Sequence, residues 1–567
     1  MKRNLFIILI LVFIAAGCRP ESSGRPGSSG KMLTADSGMV VSAHPEGSGI
    51  GVAILKKGGN AVDAAVATGF ALAVCYPEAG NIGGGGFMII READGKTAMI
   101  DFRERAPMAA TPEMFLDDSG NVVPGLSTET CLAAGVPGSV DGLLRVHSRY
   151  GVLPFRDVIQ PAIDLARKGF PVTEDQAADL NGNREKFIQR NRRLPAFVKD
   201  TLWIEGDSLR QPELAATLER IRDMVREGFY SGITARMIVN EMKKGNGIIT
   251  EEDLAGYTSE FRDPLIGDYR GYKIITVSPP SGGGVILLQV LGMIEPFNVA
   301  DMGFHSMESV HLIAEAERRA YADRSKYLGD PDFYEIPLSR LLNDEYLEER
   351  MKSFRPDTVS PSSSIHPGII APVEGSQTTH YSVADRMGMA VSVTTTLNAT
   401  YGSSIVADSA GFLLNNEMDD FSVKPGVPNM FGLTGGNVNS AEPGKRMLSS
   451  MTPVIVEKKG RLFLIAGSPG GSTIPASVLQ VLVNVIDFGM NISEAVDTGR
   501  FYHQWLPDRV NWESDGLPPA TVDKLRAAGH EMNERKSIGR VNAIMIMPNG
   551  KKAGGPDRRG NNSALGY

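Results

Sequence analysis

Residues 38–74 pair an apolar run with two stretches of helical spacing, and predict a strand followed by two helices. Gly58-Gly59 is the break between the helices, and Asn60 caps the second with Asp63 at its third position. Further on, Asn81-Ile82-Gly83-Gly84-Gly85-Gly86 leads into the apolar Phe87-Met88-Ile89-Ile90. Four glycines before a strand imply a backbone that passes very close to something. Residues 140–260 are helical and charged, with a helix boundary at Phe229-Tyr230-Ser231-Gly232. A second loop, Pro279-Pro280-Ser281-Gly282-Gly283-Gly284, precedes an apolar helix over 285–295, and helix 305–327 carries Glu315, Arg318, Arg319 and Asp323 on polar faces. Residues 353–375 repeat Pro and Ser without period and read as an exposed loop. Immediately after it, 378–384 and 389–396 alternate like an antiparallel hairpin around Asp385-Arg386-Met387-Gly388. Residues 453–466 read as a strand pair around Lys459-Gly460, followed by an apolar helix over 474–488. Strand groups flanked by helices, with more strand in the last third, predict a sheet sandwich with helical outer layers.

The first residues break this pattern. Lys2 and Arg3 precede an apolar run from Leu5 to Ala16, too short for the ~20 residues of a spanning helix and suited to a signal peptide. The run ends Ala15-Ala16-Gly17-Cys18, which resembles a bacterial lipoprotein signal with Ala15 in place of the usual Leu. Residues 1–17 are therefore expected to be removed and Cys18 lipidated, with 18–35, rich in Ser, Gly and Pro, as a tether. The expected location is the periplasm or the outer membrane, with the lipid as the sole membrane attachment.

Composition narrows the class. Of 567 residues, 58 Lys and Arg face 66 Asp and Glu, a net charge of −8, so no basic surface for nucleic acid is implied. Beyond Cys18 only Cys75 and Cys131 remain, which leaves no disulfide framework to read, and the eight His form no metal-ligand spacing. Neither metal nor cofactor is expected.

Common catalytic signatures are missing: there is no Gly-x-Ser-x-Gly, His-Glu-x-x-His or Gly-x-x-x-x-Gly-Lys. What stands out is Gln377-Thr378-Thr379-His380-Tyr381-Ser382, a polar loop running straight into a strand that starts with Thr. A cut before Thr378 would place the hydroxyl nucleophile and a free α-amine, with a pKa of about 7.7–8.0, on one residue. Taken alone, Thr378 reads as one more β-branched strand residue.

Further segments stand out: Gly58-Gly59-Asn60-Ala61-Val62-Asp63-Ala64-Ala65, Asp101-Phe102-Arg103-Glu104, Gly135-Val136-Pro137-Gly138 and Tyr321-Ala322-Asp323-Arg324. In the last third they are Leu414 to Phe421, Leu448-Ser449-Ser450-Met451 and Gly467 to Ser472. With these segments in family order, the chain resembles the γ-glutamyltranspeptidases, self-cleaving N-terminal nucleophile hydrolases, from about Gly38 to Tyr567. The resemblance implies an α+β fold, a four-layer αββα sandwich of two mainly antiparallel sheets. It also implies cleavage between Gln377 and Thr378, giving a large piece, 36–377 with its tether, and a small piece, 378–567, that stay together as a heterodimer.

The same resemblance assigns roles. Thr378 attacks the γ-amide of glutathione or a related compound, and water, an amino acid or a dipeptide takes the acyl group. Thr396 positions the nucleophile, and Gly470 and Gly471 offer N–H donors to the oxyanion. Arg103, Ser449 and Ser450 hold the α-carboxylate of the glutamyl head, while Asn398, Glu417 and Asp420 hold its ammonium. His380 is read as structural, since the terminal amine fills the base role. Residues 424–440 resemble a lid over the pocket, with Phe431 where relatives often carry a Tyr. Two further readings stand beside this one: an acylase or poly-γ-glutamate enzyme of the same superfamily, and an inactive periplasmic binding lipoprotein.

Overall fold

The computed structural model describes residues 32–366, 378–424, 427, 429, 430, 433 and 436–567. The predicted hairpin is the centre of one sheet: Thr379–Ala384 pairs with Ala390–Thr396 antiparallel, Thr379 opposite Thr395 and Ala384 opposite Ala390. Around it the order is Ser563–Gly566, Met39–Ser42, Thr379–Ala384, Ala390–Thr396, Gly85–Arg91, Thr97–Asp101, Glu260–Arg262, each neighbour antiparallel. The second seven-stranded sheet runs Thr34–Ala35, Lys552–Pro556, Asn542–Ile546, Arg461–Ala466, Val454–Lys458, Tyr272–Thr276, Leu265–Tyr269. Thr34–Ala35, within the stretch 18–35 expected to be a tether, is an edge strand paired with Lys552 and Ala553.

Alternate residues of each strand feed different apolar layers. Met39, Val41, Phe87, Ile89, Ile275, Ile455 and Ile465 fill the space between the sheets. Val40, Met88, Ile90, Tyr381 and Val383 face helices Pro45–Lys56 and Ala61–Cys75. Ile274, Val454, Val456 and Leu464 face Gly283–Ile294, Met307–Tyr327 and Ile474–Ile486. This is the αββα order, and it explains why strands such as Phe87-Met88-Ile89-Ile90 are apolar throughout: both faces are buried. Each fully buried Ile or Phe side chain contributes about 1.5–3 kcal/mol.

The polar face of the hairpin is buried too. His380 Nδ1 lies 2.9 Å from Thr394 Oγ1 and Nε2 3.0 Å from Ser382 Oγ, while the Ser382 hydroxyl donates to Asn542 O at 3.0 Å. Burial depresses the His380 imidazole to about 3, so it is neutral and serves as a cross-strand tie.

The polar faces of helix Met307–Tyr327 are packed inward. Glu315, Arg318, Arg319 and Asp323 are buried rather than solvated. Glu315 bonds Arg318 at 3.1 Å and Arg319 at 2.7 Å, and Arg318 also bonds Asp508. The loop before the hairpin is partly buried as well: the Ser362 hydroxyl donates to Trp505 O at 2.5 Å, and Trp505 Nε1 donates back to Ser362 O at 3.1 Å. Cys75 and Cys131 are buried free thiols. Among the described residues no helix is long and apolar enough to cross a membrane.

Candidate functional site

Thr378, 4% exposed, stands where the central strand begins, and Thr396 ends the partner strand opposite Gly85. The four-glycine run is what makes this corner possible. A Cβ on Gly84 would lie 2.0 Å from Thr396 O, one on Gly86 2.3 Å from Thr394 O, and one on Gly85 2.7 Å from a Glu104 carboxylate oxygen. The close neighbour implied by the sequence is thus the strand ending at Thr396 and the segment around Glu104.

Beyond Thr396 the chain turns through Asn398 in a left-handed conformation, φ 74°. Thr396 Oγ1 accepts from Asn398 N at 2.8 Å, and Asn398 Nδ2 donates to Asn416 O at 2.9 Å. Asn415 fixes the next turn: its amide donates to Gly83 O and Gly135 O, both at 2.8 Å, while its Oδ1 accepts from Glu417 N at 3.0 Å. That turn is a short 3₁₀ helix, Glu417–Asp420, which aims two carboxylates at Arg103.

Arg103 follows the strand Thr97–Asp101 and is buried. It bonds Glu417 at 2.6 Å, Glu104 at 3.4 Å, and Asp420, and its Nε donates to Met447 O at 3.3 Å. Burial opposes the charge on Arg103, but Glu417, Asp420 and Glu104 outweigh it and hold the guanidinium charged. For the acids an upward shift disfavours the charged form. Burial raises Glu417 and Asp420, and raises Glu104 to about 7. The two outcomes are compatible, since three carboxyls share one strong cation and cannot all ionise at no cost.

Ser449 and Ser450 come from a bend braced by the second glycine loop. Ser449 N donates to Pro280 O at 2.9 Å and Gly282 N donates to Ser449 O at 2.8 Å. A Cβ on Gly283 would lie 2.5 Å from Ser450 O. Gly470 and Gly471 both have positive φ, 139° and 55°, and open the 3₁₀ turn before helix Ile474–Ile486. Side chains there would be strained.

One cavity of about 290 Å³ gathers Thr378, Thr396, Asn398, Arg103, Glu417, Asp420, Ser449, Ser450 and Gly471. Gly470 is not among its lining residues and precedes Gly471 in the chain. Arg324, Leu433, Met451 and Ile474 also line it. Leu433, Met451 and Ile474 are apolar wall, for which the sequence carries no signal beyond hydrophobicity. From the segment 424–440, expected to form a lid, Asn429 Nδ2 donates to Asp420 Oδ1 at 3.3 Å, and Asn398 Nδ2 lies 3.6 Å from Met430 Sδ. Gln377, Phe431 and Cys18 lie outside the described residues. Among the described residues, no group of three or more His, Cys, Asp or Glu could hold a metal ion.

A strand-opening threonine hydroxyl that shares its cavity with Arg103, Arg324, serine hydroxyls and a pair of acids suits acyl transfer from a zwitterionic amino-acid head. The family model described as Gamma-glutamyltranspeptidase matches residues 47–567. The chain is 48% identical over 533 residues to the glutathione hydrolase proenzyme of Escherichia coli (strain K12), covering 93% of this chain and 91% of that protein. The crystal structure of cephalosporin acylase from Bacillus halodurans superposes with a TM-score of 0.81 at 28% identity, over 97% of this chain and 99% of that one. That of Helicobacter pylori gamma-glutamyltranspeptidase gives 0.57 at 46% identity, over 60% of this chain and 97% of that one.

Proposed function

The chain belongs to the gamma-glutamyltranspeptidase family, and from that premise we propose how its residues carry the reaction. It is an enzyme of γ-glutamyl transfer and glutathione hydrolysis, made as a self-processing proenzyme. In processing, the Thr378 hydroxyl attacks the carbonyl carbon of Gln377. The Gln377–Thr378 C–N bond breaks, nitrogen takes the proton, and an ester links Gln377 to Thr378 Oγ. Water hydrolyses that ester, leaving a carboxylate on Gln377 and a free amine on Thr378.

In turnover that amine takes the hydroxyl proton as Oγ bonds to the γ-carbonyl carbon of the donor. The oxyanion is met by N–H groups at Gly470-Gly471, and Thr396 positions Thr378. The amide C–N bond then breaks, the leaving amine takes the proton, and the γ-glutamyl group remains as an ester on Thr378. Water, or the amine of an amino acid or dipeptide, attacks that ester and restores the hydroxyl.

Recognition of the head group is an exchange of ion pairs. In the free site Arg103 bridges Glu417 and Asp420. A γ-glutamyl head supplies a carboxylate for Arg103, Ser449 and Ser450, and an ammonium for Asn398, Glu417 and Asp420. The buried charges remain matched before and after, which limits the desolvation cost. This speaks against an acylase reading in which the acyl group lacks both charges.

The observation that carries the proposal is the convergence of this cation, these acids and these hydroxyls on the one threonine that opens the central strand. Wild-type protein is expected to give one native peak but two bands on a denaturing gel, the smaller beginning at Thr378 and 190 residues long. It should release the chromophore from a γ-glutamyl anilide, whereas Thr378→Ala gives one uncut band and no release. An active wild type that stays in one piece would refute the scheme.

Export behind residues 1–17 and anchoring through Cys18 belong to the same proposal, supported by the signal-like run and the Ser/Gly/Pro tether. Cells fed an alkyne fatty acid should label the wild type and not Cys18→Ser; an unlabelled wild type removes the anchor.

A further inference from the structure

Arg324 occupies the last turn of helix Met307–Tyr327, at the end of the Tyr321-Ala322-Asp323-Arg324 motif, and none of the roles above uses it. Its side chain is 5% exposed and lines the same cavity as Thr378. Its Nε is buried without a partner, and among the described residues its guanidinium makes no hydrogen bond or ion pair. Other buried arginines are matched: Arg318 and Arg319 with Glu315, Arg446 with Asp101, Arg500 with Asp557. Arg103, across the cavity, is committed to three carboxylates and a carbonyl.

A second group shares this condition. The Ser450 hydroxyl, on the same cavity wall, is also buried without a partner. The two lie on neighbouring structure: a Cβ on Gly282 would be 3.4 Å from Arg324 Nε, and Gly282 N bonds Ser449 O at 2.8 Å. An unpaired guanidinium and an unpaired hydroxyl lining one cavity suit an anion with more than one oxygen. Burial lowers the Arg324 pKa to about 10, with the Arg103 charge adding to that fall and Asp420 opposing it, so the group stays cationic at neutral pH.

We propose that Arg324, together with Ser450, is a second carboxylate-binding residue of the substrate cavity. The carboxylate has two sources in a γ-glutamyl peptide such as glutathione: the α-carboxylate of the glutamyl head, or the terminal carboxylate of the amine half. The inference rests on the γ-glutamyl transferase reading and adds a residue to its substrate site. It explains why a buried guanidinium makes no hydrogen bond within the protein, since the substrate supplies the acceptor.

The test compares wild type, Arg324→Gln and Arg324→Lys on two donors, glutathione and a γ-glutamyl anilide without a carboxylate on its amine half. Arg324→Gln should raise KM at least about tenfold, with a smaller change in kcat, and Arg324→Lys should recover part of the loss. A rise for both donors assigns the α-carboxylate; a rise for glutathione alone assigns the carboxylate of the amine half. Self-cleavage should be intact on a denaturing gel, and the melting midpoint of Arg324→Gln should equal or exceed that of wild type, because a buried charge without a hydrogen-bond partner is removed. A structural role predicts the opposite, a lower midpoint with unchanged KM, and either unchanged KM on both donors or loss of self-cleavage overturns the proposal. If the wild type turned over neither donor, the transferase reading would fall by itself. Calorimetric titration of glutathione into wild type and Arg324→Gln would then decide the present inference, equal affinity overturning it.

Discussion

Glu317 lies in the buried middle of helix Met307–Tyr327, with one carboxyl oxygen accepting from His503 N at 2.8 Å and the other unpartnered. Burial raises its pKa to about 8, against an ordinary value near 4.5. The native protein therefore keeps this proton to higher pH than the unfolded chain does. Its contribution to stability is full below about pH 4.5 and falls as pH rises towards 8, by on the order of 1 kcal/mol per pH unit. Glu317→Gln keeps the acceptor and removes the titration. Denaturant midpoints at pH 5 and pH 8 should show the variant gaining on wild type at the higher pH; a constant difference would discount the buried proton. The carboxyls around Arg103 obey the same rule, since Glu104 rises to about 7 beside the Glu417–Asp420 pair. None of this is legible in a string of letters. Arg318 and Arg319 look like solvated helix positions until Glu315, Asp508 and Ser362 are seen around them. Arg324 looks equally ordinary, because the absence of a partner is a property of the packed state.

At the scale of elements, one side chain joins the central hairpin to a helix. Asp385 Oδ1 accepts from Met387 N at 2.8 Å and Met389 N at 3.0 Å, closing the turn. Its Oδ2 accepts from Ala61 N at 3.2 Å, at the positive end of helix Ala61–Cys75. Asp385→Ala should cost about 2–4 kcal/mol, and Asp385→Asn less, because an amide oxygen can still accept. Equal chemical-denaturation midpoints for Asp385→Ala and wild type would disprove the link. The turn, both hairpin strands and the Asn60–Asp63 capping box could be read from sequence, because each depends on neighbours a few residues away. Thr34–Ala35 could not, since two residues leave no periodicity and the strand exists through a partner at 552–553. The glycine loops were legible in half: crowding followed from composition, and the identity of the crowding group required the fold.

Across the whole molecule, the layer order followed from apolar runs flanked by helices, while the interleaving of the sheets did not. Met39–Ser42 lies between Ser563–Gly566 and Thr379–Ala384, and Gly85–Arg91 between Ala390–Thr396 and Thr97–Asp101. Segments from either side of residue 378 thus share one sheet, and the second sheet mixes them too. The site has the same composite origin, with Arg103 and Arg324 from before the proposed cut and Thr378, Asp420 and Ser450 from after it. A gene divided at that point into two transcripts would consequently yield halves with bare strand edges and uncovered greasy faces, prone to clump. Only halves that meet while still folding could knit a working enzyme, so simple mixing of two finished preparations should fail.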